Sequence, residues 1–282
     1  MASEKKTALI LPGGGTGGVI HGGACLAFEE LGIAFDLTLC VSVGSCTGPF
    51  SNTGQMRDAV IVWVEHIHGT QFIRWTVRGP QMDVRYLLRT LHRVGKLNRE
   101  ALGTRGRIVC VTTDLDTGEA VYTDLTPKTD PWRFMRASIG IPGLMGPLKV
   151  NGRRYGDGGI ADPLPIEYAI RQGCNDITVV LTRPMFWRMS TQVNNALGRI
   201  FLPEFPNARA ALRAAADCYN RAMQLARRPP DGITIRVIEP PLWPIVHFLC
   251  TDREKLLAWF RHGYHAAYRA FGEIAPSPLT YF

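Results

Sequence analysis

Ser42 closes the run Asp36-Leu-Thr-Leu-Cys-Val-Ser42-Val-Gly-Ser45. A short strand that ends on a serine and passes into small, glycine-containing sequence is how a hydrolase nucleophile elbow is built. The strand delivers the hydroxyl to the carboxyl edge of a sheet, and small neighbours, here Gly44, allow the sharp turn into a helix. Two further stretches bear on the same chemistry. Gly13-Gly-Gly-Thr-Gly-Gly18 lies before the serine and admits two readings. Gly13, Gly15 and Gly18 fit the G-x-G-x-x-G of a dinucleotide site, which also needs an acidic residue about 20 positions on, at the end of the second strand. Asp36 is near that distance, but it precedes the strand, which ends on Ser42 instead. The other reading is an oxyanion hole, in which residues without Cβ let the amides around Gly14 and Gly15 face developing negative charge beside a helix N-terminus.

The second stretch is Tyr155-Gly-Asp157-Gly158-Gly159. An aspartate in such a setting is ordinarily a turn residue. Here Ile160-Ala-Asp-Pro-Leu-Pro165 then runs into a helix, as though closing a site. An aspartate beside a serine hydroxyl acts as a general base when it is partly desolvated and held in orientation.

The elements that must position these residues follow from periodicity and punctuation. Thr7 to Leu11 and Phe35 to Val41 are expected strands, with a helix over Val19 to Leu31 that carries Leu26, Ala27 and Leu31 on one face and stops at Gly32. Helical sequence resumes at Ser45, interrupted by Pro49 and Gly54, and continues over Met56 to His68 and Val84 to Val94. Arg107 to Thr112 and Glu119 to Thr123 are strands about the turn Asp116-Thr-Gly118. Pro131 to Ser138 is a short helix broken by Ile139-Gly-Ile-Pro142. Leu148 to Tyr155 is a hairpin turning at Asn151-Gly152, the strongest two-residue hairpin signal. A helix over Pro165 to Gln172, strands at Asp176 to Leu181 and Ile233 to Ile238, and a closing helix over Asp252 to Phe271 complete the pattern. Alternating strands and helices predict an α/β sheet covered on both faces. With no Ser- or Gly-rich linker and no internal repeat, residues 1–282 read as one domain. Residues 183–230 form a helical basic segment within it, with a long helix over Asn207 to Arg228. Arg183 to Arg228 holds eight arginines against Glu204 and Asp217.

Composition narrows the function classes. The chain has 282 residues, 46% hydrophobic and 20% charged, as expected of a globular fold and not of a disordered chain. No apolar run approaches the roughly 18–20 residues of a membrane span, and the amino terminus leads straight into the first strand without a secretory core. The expected location is cytoplasmic. Seven scattered cysteines with no Cys-x-x-Cys pair argue against a disulfide framework or a zinc site, and no metal or other cofactor is expected. The net charge of +8 comes without a nucleic-acid motif, so no nucleic acid is expected as partner. It suits either a peripheral contact with an anionic membrane surface or a simply solvated basic surface.

The order of glycine loop, serine elbow and Asp-Gly-Gly resembles the patatin-like phospholipase family, and within it the bacterial patatin-like esterases. The resemblance is carried by Gly13 to Gly18 leading to Glu29-Glu-Leu-Gly-Ile33. It continues through Ala137-Ser-Ile-Gly-Ile-Pro142, Asn151-Gly-Arg-Arg-Tyr-Gly-Asp-Gly-Gly-Ile-Ala-Asp-Pro163, Val179-Val-Leu-Thr-Arg-Pro184 and the closing His262-Gly-Tyr264. It implies a three-layer α/β/α sandwich with a mostly parallel central sheet. It also implies lipid acyl-ester hydrolysis by a Ser–Asp dyad through an acyl-enzyme. By position Ser42 is the nucleophile, Asp157 the base and Gly14 and Gly15 the oxyanion hole, with Gly13, Gly18, Gly44, Gly158 and Gly159 as motif glycines. The expected partner is a lipid or other ester substrate.

Three departures stand against this pattern. The elbow reads Cys40-Val-Ser42-Val-Gly44 where the family has Gly-x-Ser-x-Gly. The register Gly44-Ser-Cys46-Thr-Gly48 fits by letters and would make Cys46 the nucleophile; Ser42 is preferred because it stands at the strand end and at the family's spacing. Gly17 stands where the family commonly has Arg or Lys. Cys40 and Gly17 motivate the alternative of a catalytically degenerate patatin-like domain that binds lipid or protein. Among lesser candidates, His21 reads as a packing or solvent residue, and Asp114 and Asp116 as hairpin residues. Pro184-Met-Phe-Trp-Arg-Met189 reads either as a membrane-facing lip over an acyl pocket or as ordinary loop packing.

Overall fold

Runs of about five aliphatic and β-branched residues are too short for buried helices, and here they form the central sheet. The computed structural model describes residues 4–76, 79–141 and 145–276. Its strands are β1 (Thr7–Leu11), β2 (Leu37–Val41), β3 (Ile73–Thr76), β4 (Gly79–Met82), β5 (Arg107–Asp114), β6 (Ala120–Asp124), β7 (Leu148–Val150), β8 (Arg153–Asp157), β9 (Asp176–Val180) and β10 (Thr234–Ile238). The main sheet is ordered β10-β9-β1-β2-β5-β8-β7, with β6 also on β5. β10, β9, β1, β2 and β5 run parallel, whereas β6 and β8 each pair antiparallel with β5 and β7 pairs antiparallel with β8.

The helices are α1 (Val19–Glu30), α2 (Gly44–Asn52), α3 (Met56–Ile61), α4 (Val84–Thr90), α5 (Pro131–Ser138), α6 (Ile166–Arg171), α7 (Thr191–Phe201), α8 (Pro206–Arg227) and α9 (Arg253–Ala270). Side chains alternate across the sheet as the pleat requires. Leu9, Leu11, Cys40 and Cys110 pack with α1, α2 and α9 on one face. Ala8, Ile10, Leu39 and Val109 pack with α6 and α8 on the other. All five residues of β2 and of β9 are buried, as expected of strands covered on both sides. The result is the α/β/α layering expected from sequence.

Several elements differ from their sequence reading. α1 is buried over Val19–Phe28, so it has no solvent face along most of its length; α9 packs over the side that the sheet leaves open. α2 continues through Pro49 instead of breaking there. The proline forfeits one helical hydrogen bond, but nearly every residue of α2 is buried against the sheet, and that packing holds the turn. The helices expected over Met56 to His68 and Val84 to Val94 each end in a wider turn, at Val62–His66 and Leu91–Gly95. The β3–β4 hairpin was not anticipated, and α7 lies within the 183–230 segment expected to be helical, though its own bounds were not anticipated. Pro142, expected to break the helix after Ser138, lies outside the described residues. Asn151 and Gly152 both take positive φ, 49° and 81°, as the two-residue hairpin turn demands. Among the described residues no helix is long and apolar enough to cross a membrane.

Candidate active site

The site is organised by β5, which has eight residues and outlasts the strand beside it. β2 pairs Leu37–Val41 with Arg107–Val111, and β6 pairs with Val109 to Thr113. β8 pairs Thr112, Thr113 and Asp114 with Asp157, Gly156 and Tyr155. A strand has only two edges, and β6 already occupies one of them at Thr112 and Thr113. β8 therefore takes the edge that β2 vacates after Val41. Val41 and Asp157 thus face consecutive β5 residues, Val111 and Thr112.

Ser42 follows Val41 directly and turns with φ 52°. That left-handed conformation is uncommon outside glycine and is the strained geometry of an elbow. Its Oγ donates to Asp157 Oδ2 at 2.7 Å. Its amide donates to Ser138 Oγ at 2.8 Å, and the Ser138 hydroxyl donates to the Val111 carbonyl at 2.7 Å. Ser138, at the end of α5, thereby bridges the strand ends where β2 stops. Asp157 is pinned on three sides. Its amide donates to Gly140 O, its carbonyl accepts from Thr113 Oγ1 at 2.7 Å, and its Oδ1 accepts from the Gly159 amide at 2.8 Å. Burial pushes the Asp157 carboxyl up to about 6, against the pull of the hydrogen bonds from Ser42 and Gly159.

The turn after Ser42 leaves no room for a side chain at Gly44. A Cβ on Gly44 would lie 1.9 Å from the Leu11 carbonyl oxygen. The glycine loop runs alongside: a Cβ on Gly13 would sit 3.1 Å from Ser42 Cβ, and the Thr182 hydroxyl donates to the Gly13 carbonyl. Gly15 has φ 60° and abuts the Phe248 carbonyl, which accepts from the Thr16 amide at 3.0 Å. Among the described residues the Gly14 and Gly15 amides have no acceptor. Gly18 caps α1 without a side-chain bond, and Gly158 and Gly159 form the 3₁₀ turn after β8.

Asp36, the acid required by the dinucleotide reading, lies across the sheet from this loop. It accepts from the Thr7 amide and hydroxyl at 2.7 and 2.8 Å, at the amino edge of β1. Cys46 sits inside α2 with no exposed surface, and burial raises its thiol well above the ordinary range. Cys40 packs its Sγ where Gly48 leaves space, since a Cβ on Gly48 would be 2.1 Å from that sulfur. The missing glycine of the elbow is thus matched by a glycine one turn into the next helix. At Gly17 a Cβ would lie 3.3 Å from the Trp259 ring, so an indole fills the direction a cation would take.

An apolar cavity of about 480 Å³ opens beside the dyad. Its lining includes Ser42, Asp157 and Gly14 together with Trp187, Leu197 and Phe201. Within Pro184–Met189 the Trp187 ring packs edge-on against Tyr219 at 5.2 Å and Phe186 is exposed, so this loop both packs on the core and presents an apolar tip. His21 is fully buried, with Nε2 3.0 Å from the Val180 carbonyl, and burial lowers its pKa to about 3. It stays neutral and makes no bond to the dyad. Asp114 Oδ1 accepts from the Asp116 and Thr117 amides, and Asp116 pairs with Arg154, as hairpin residues do. Sequence reasoning did not single out Ser138, Thr182 or Phe248. Ser138 lay inside the Ala-Ser-Ile-Gly stretch, but a serine donating to a distant strand has no local signature.

A family model described as patatin-like phospholipase matches residues 9–170, and one described as a domain of unknown function matches residues 205–277. The chain is 24% identical over 93% of its length to lysophospholipase NTE1 of Meyerozyma guilliermondii. It is 26% identical over 85% of its length to lysophospholipase NTE1 of Saccharomyces cerevisiae. These stretches are 19% and 15% of those proteins. An uncharacterized NTE family protein of Mycobacterium tuberculosis is 29% identical over 64% of this chain and 50% of its own. Among solved structures, VipD from Legionella pneumophila aligns with a TM-score of 0.52 at 13% identity, covering 95% of this chain and 67% of that one, a likeness of fold. The match over residues 9–170 takes in the glycine loop, the serine elbow and the Asp-Gly-Gly turn alike, and on that ground the chain belongs to the patatin-like phospholipase family.

Proposed function

We propose that this protein hydrolyses lipid acyl esters through a Ser42–Asp157 dyad and an acyl-enzyme. The observation that carries the reading is the 2.7 Å hydrogen bond from Ser42 Oγ to a buried carboxylate at the mouth of an apolar cavity. Asp157 takes the hydroxyl proton as Ser42 Oγ attacks the ester carbonyl. The amides of Gly14 and Gly15 hold the oxyanion, and the alcohol leaves with the proton from Asp157. Water, deprotonated by Asp157, then attacks the acyl carbonyl, and collapse releases the fatty acid as Asp157 returns the proton to Ser42 Oγ. No histidine is needed, because a carboxyl raised to about 6 is a stronger base than an exposed aspartate and remains ionised at neutral pH.

Relatives named lysophospholipase make a lysophospholipid the first substrate to test. A cavity of about 480 Å³ lined by Trp187, Leu197 and Phe201 suits an acyl chain. Residues 1–282 act as one catalytic unit in this reading, since α9 completes the core over α1. A fluorophosphonate probe is expected to add to Ser42, as read by intact mass and peptide mapping, and Ser42→Ala is expected to lose the adduct. An adduct that persists in Ser42→Ala, or turnover of neither lysophospholipid nor short-chain ester by the unmodified protein, overturns the proposal.

A further inference from the structure

α7 is amphipathic in the inverse sense. A surface helix normally turns its apolar stripe to the core, but α7 buries Asn194, whose side-chain amide donates to Leu212 O at 2.8 Å, and packs Gly198 against Arg209. Its exposed residues include Val193, Leu197 and Ile200, spaced i, i+4 and i+7, with 55%, 39% and 66% of their surface open to solvent. Leu197 also lines the cavity that holds Ser42, so this stripe is continuous with the candidate active site. Phe186 follows β9 and Trp243 follows β10; both are more than two-thirds exposed, and both segments leave the carboxyl edge of the sheet on which the dyad sits.

The charge around these groups is mostly positive. Residues 183–201 contain Arg183, Arg188 and Arg199 and no acidic residue. Arg188, Arg221, Arg227 and Arg228 outnumber Glu167 in a cleft of about 660 Å³, and Arg227 borders the hollow formed by Phe186 and Leu242 together with Glu239. Exposed apolar side chains beside an arginine-rich surface match the two layers of an anionic membrane, with its acyl boundary and its charged headgroups.

Building on the hydrolase reading, we propose that the exposed stripe of α7, with Phe186 and Trp243, docks the protein on an anionic lipid surface and brings the cavity mouth to its substrate. The partner is the lipid surface itself, not a second copy of the chain. Sedimentation with phosphatidylcholine vesicles, with and without phosphatidylserine, tests this without requiring catalysis. The unmodified protein and Ser42→Ala are expected to bind the anionic vesicles equally. V193N/I200N and Trp243→Ala are each expected to lose about tenfold in partition. Turnover of a soluble short-chain ester by these variants is expected to stay within about twofold of the unmodified protein, which separates lost docking from misfolding.

Equal binding of all variants overturns the proposal, as does binding that ignores phosphatidylserine. A concentration-dependent dimer of the unmodified protein that V193N/I200N dissociates also overturns it, by assigning the stripe to a second copy. Vesicle binding without any ester turnover sinks the hydrolase reading and leaves the docking surface standing.

Discussion

Val41 and Asp157 face consecutive residues along one edge of β5, and the bond between Ser42 and Asp157 follows from that placement. The serine comes from a parallel strand that ends early, and the aspartate from an antiparallel strand that takes over the vacated edge.

Removing either partner isolates its role. Asp157→Asn keeps the shape and can still accept from the Gly159 amide, but it cannot take a proton. We expect kcat on a short-chain ester to fall by about 10²–10⁴ with KM little changed, and the protein to remain folded by circular dichroism. A variant retaining more than about a tenth of wild-type kcat would sink the role of Asp157 as base.

The pH profile carries a sign. Asp157 must be ionised to act, so kcat/KM is expected to rise with pH through about 6 and then level off. Stability runs the other way. The folded pKa of about 6 exceeds the 3.8 of an unperturbed aspartate, so the favourable contribution is complete below about 3.8 and is lost as pH rises through about 6. Relative to Asp157→Asn, the wild type should lose about 2–3 kcal/mol between those limits. Urea denaturation of both proteins across that range checks this; parallel curves would show that the carboxyl is not perturbed.

Ser138 is a positioning residue. Ser138→Ala leaves the Ser42 amide and the Val111 carbonyl without their shared partner, at a cost of about 1–3 kcal/mol. The effect on catalysis should fall on kcat and not on KM, by about 10-fold or more. A KM effect alone would place Ser138 in substrate binding instead.

Cys40→Gly would restore the family's elbow letters. Cys40 Sγ fills the space above Gly48, so the change should open a small void and cost about 1–2 kcal/mol without raising kcat. Cys46→Ala should retain the fluorophosphonate adduct, because Cys46 is sealed inside α2.

The sheet, the hairpin at Asn151-Gly152 and the long basic helix were legible because each is set by local periodicity or by turn chemistry. Ser42, Asp157 and the glycine loop were legible because they stand at strand ends marked by glycine. The support was not. Ser138, Thr182 and the Phe248 carbonyl act on residues distant in the chain, and nothing local marks a serine that bridges two strands. α7 lay inside the segment read as helical, but its bounds were not marked, because its apolar stripe faces outward and is interleaved with polar residues. Helix α1 was read as amphipathic because sequence cannot show that α9 covers its outer side.

The serine and the aspartate lie 115 residues apart and join only where two strands succeed one another along β5. A fragment ending before β8 would contain the whole elbow and still lack Asp157, the base of the proposed mechanism. Reactivity of Ser42 toward a covalent probe therefore reports on completed long-range strand assembly, and its appearance during refolding times the arrival of the last partner on that edge.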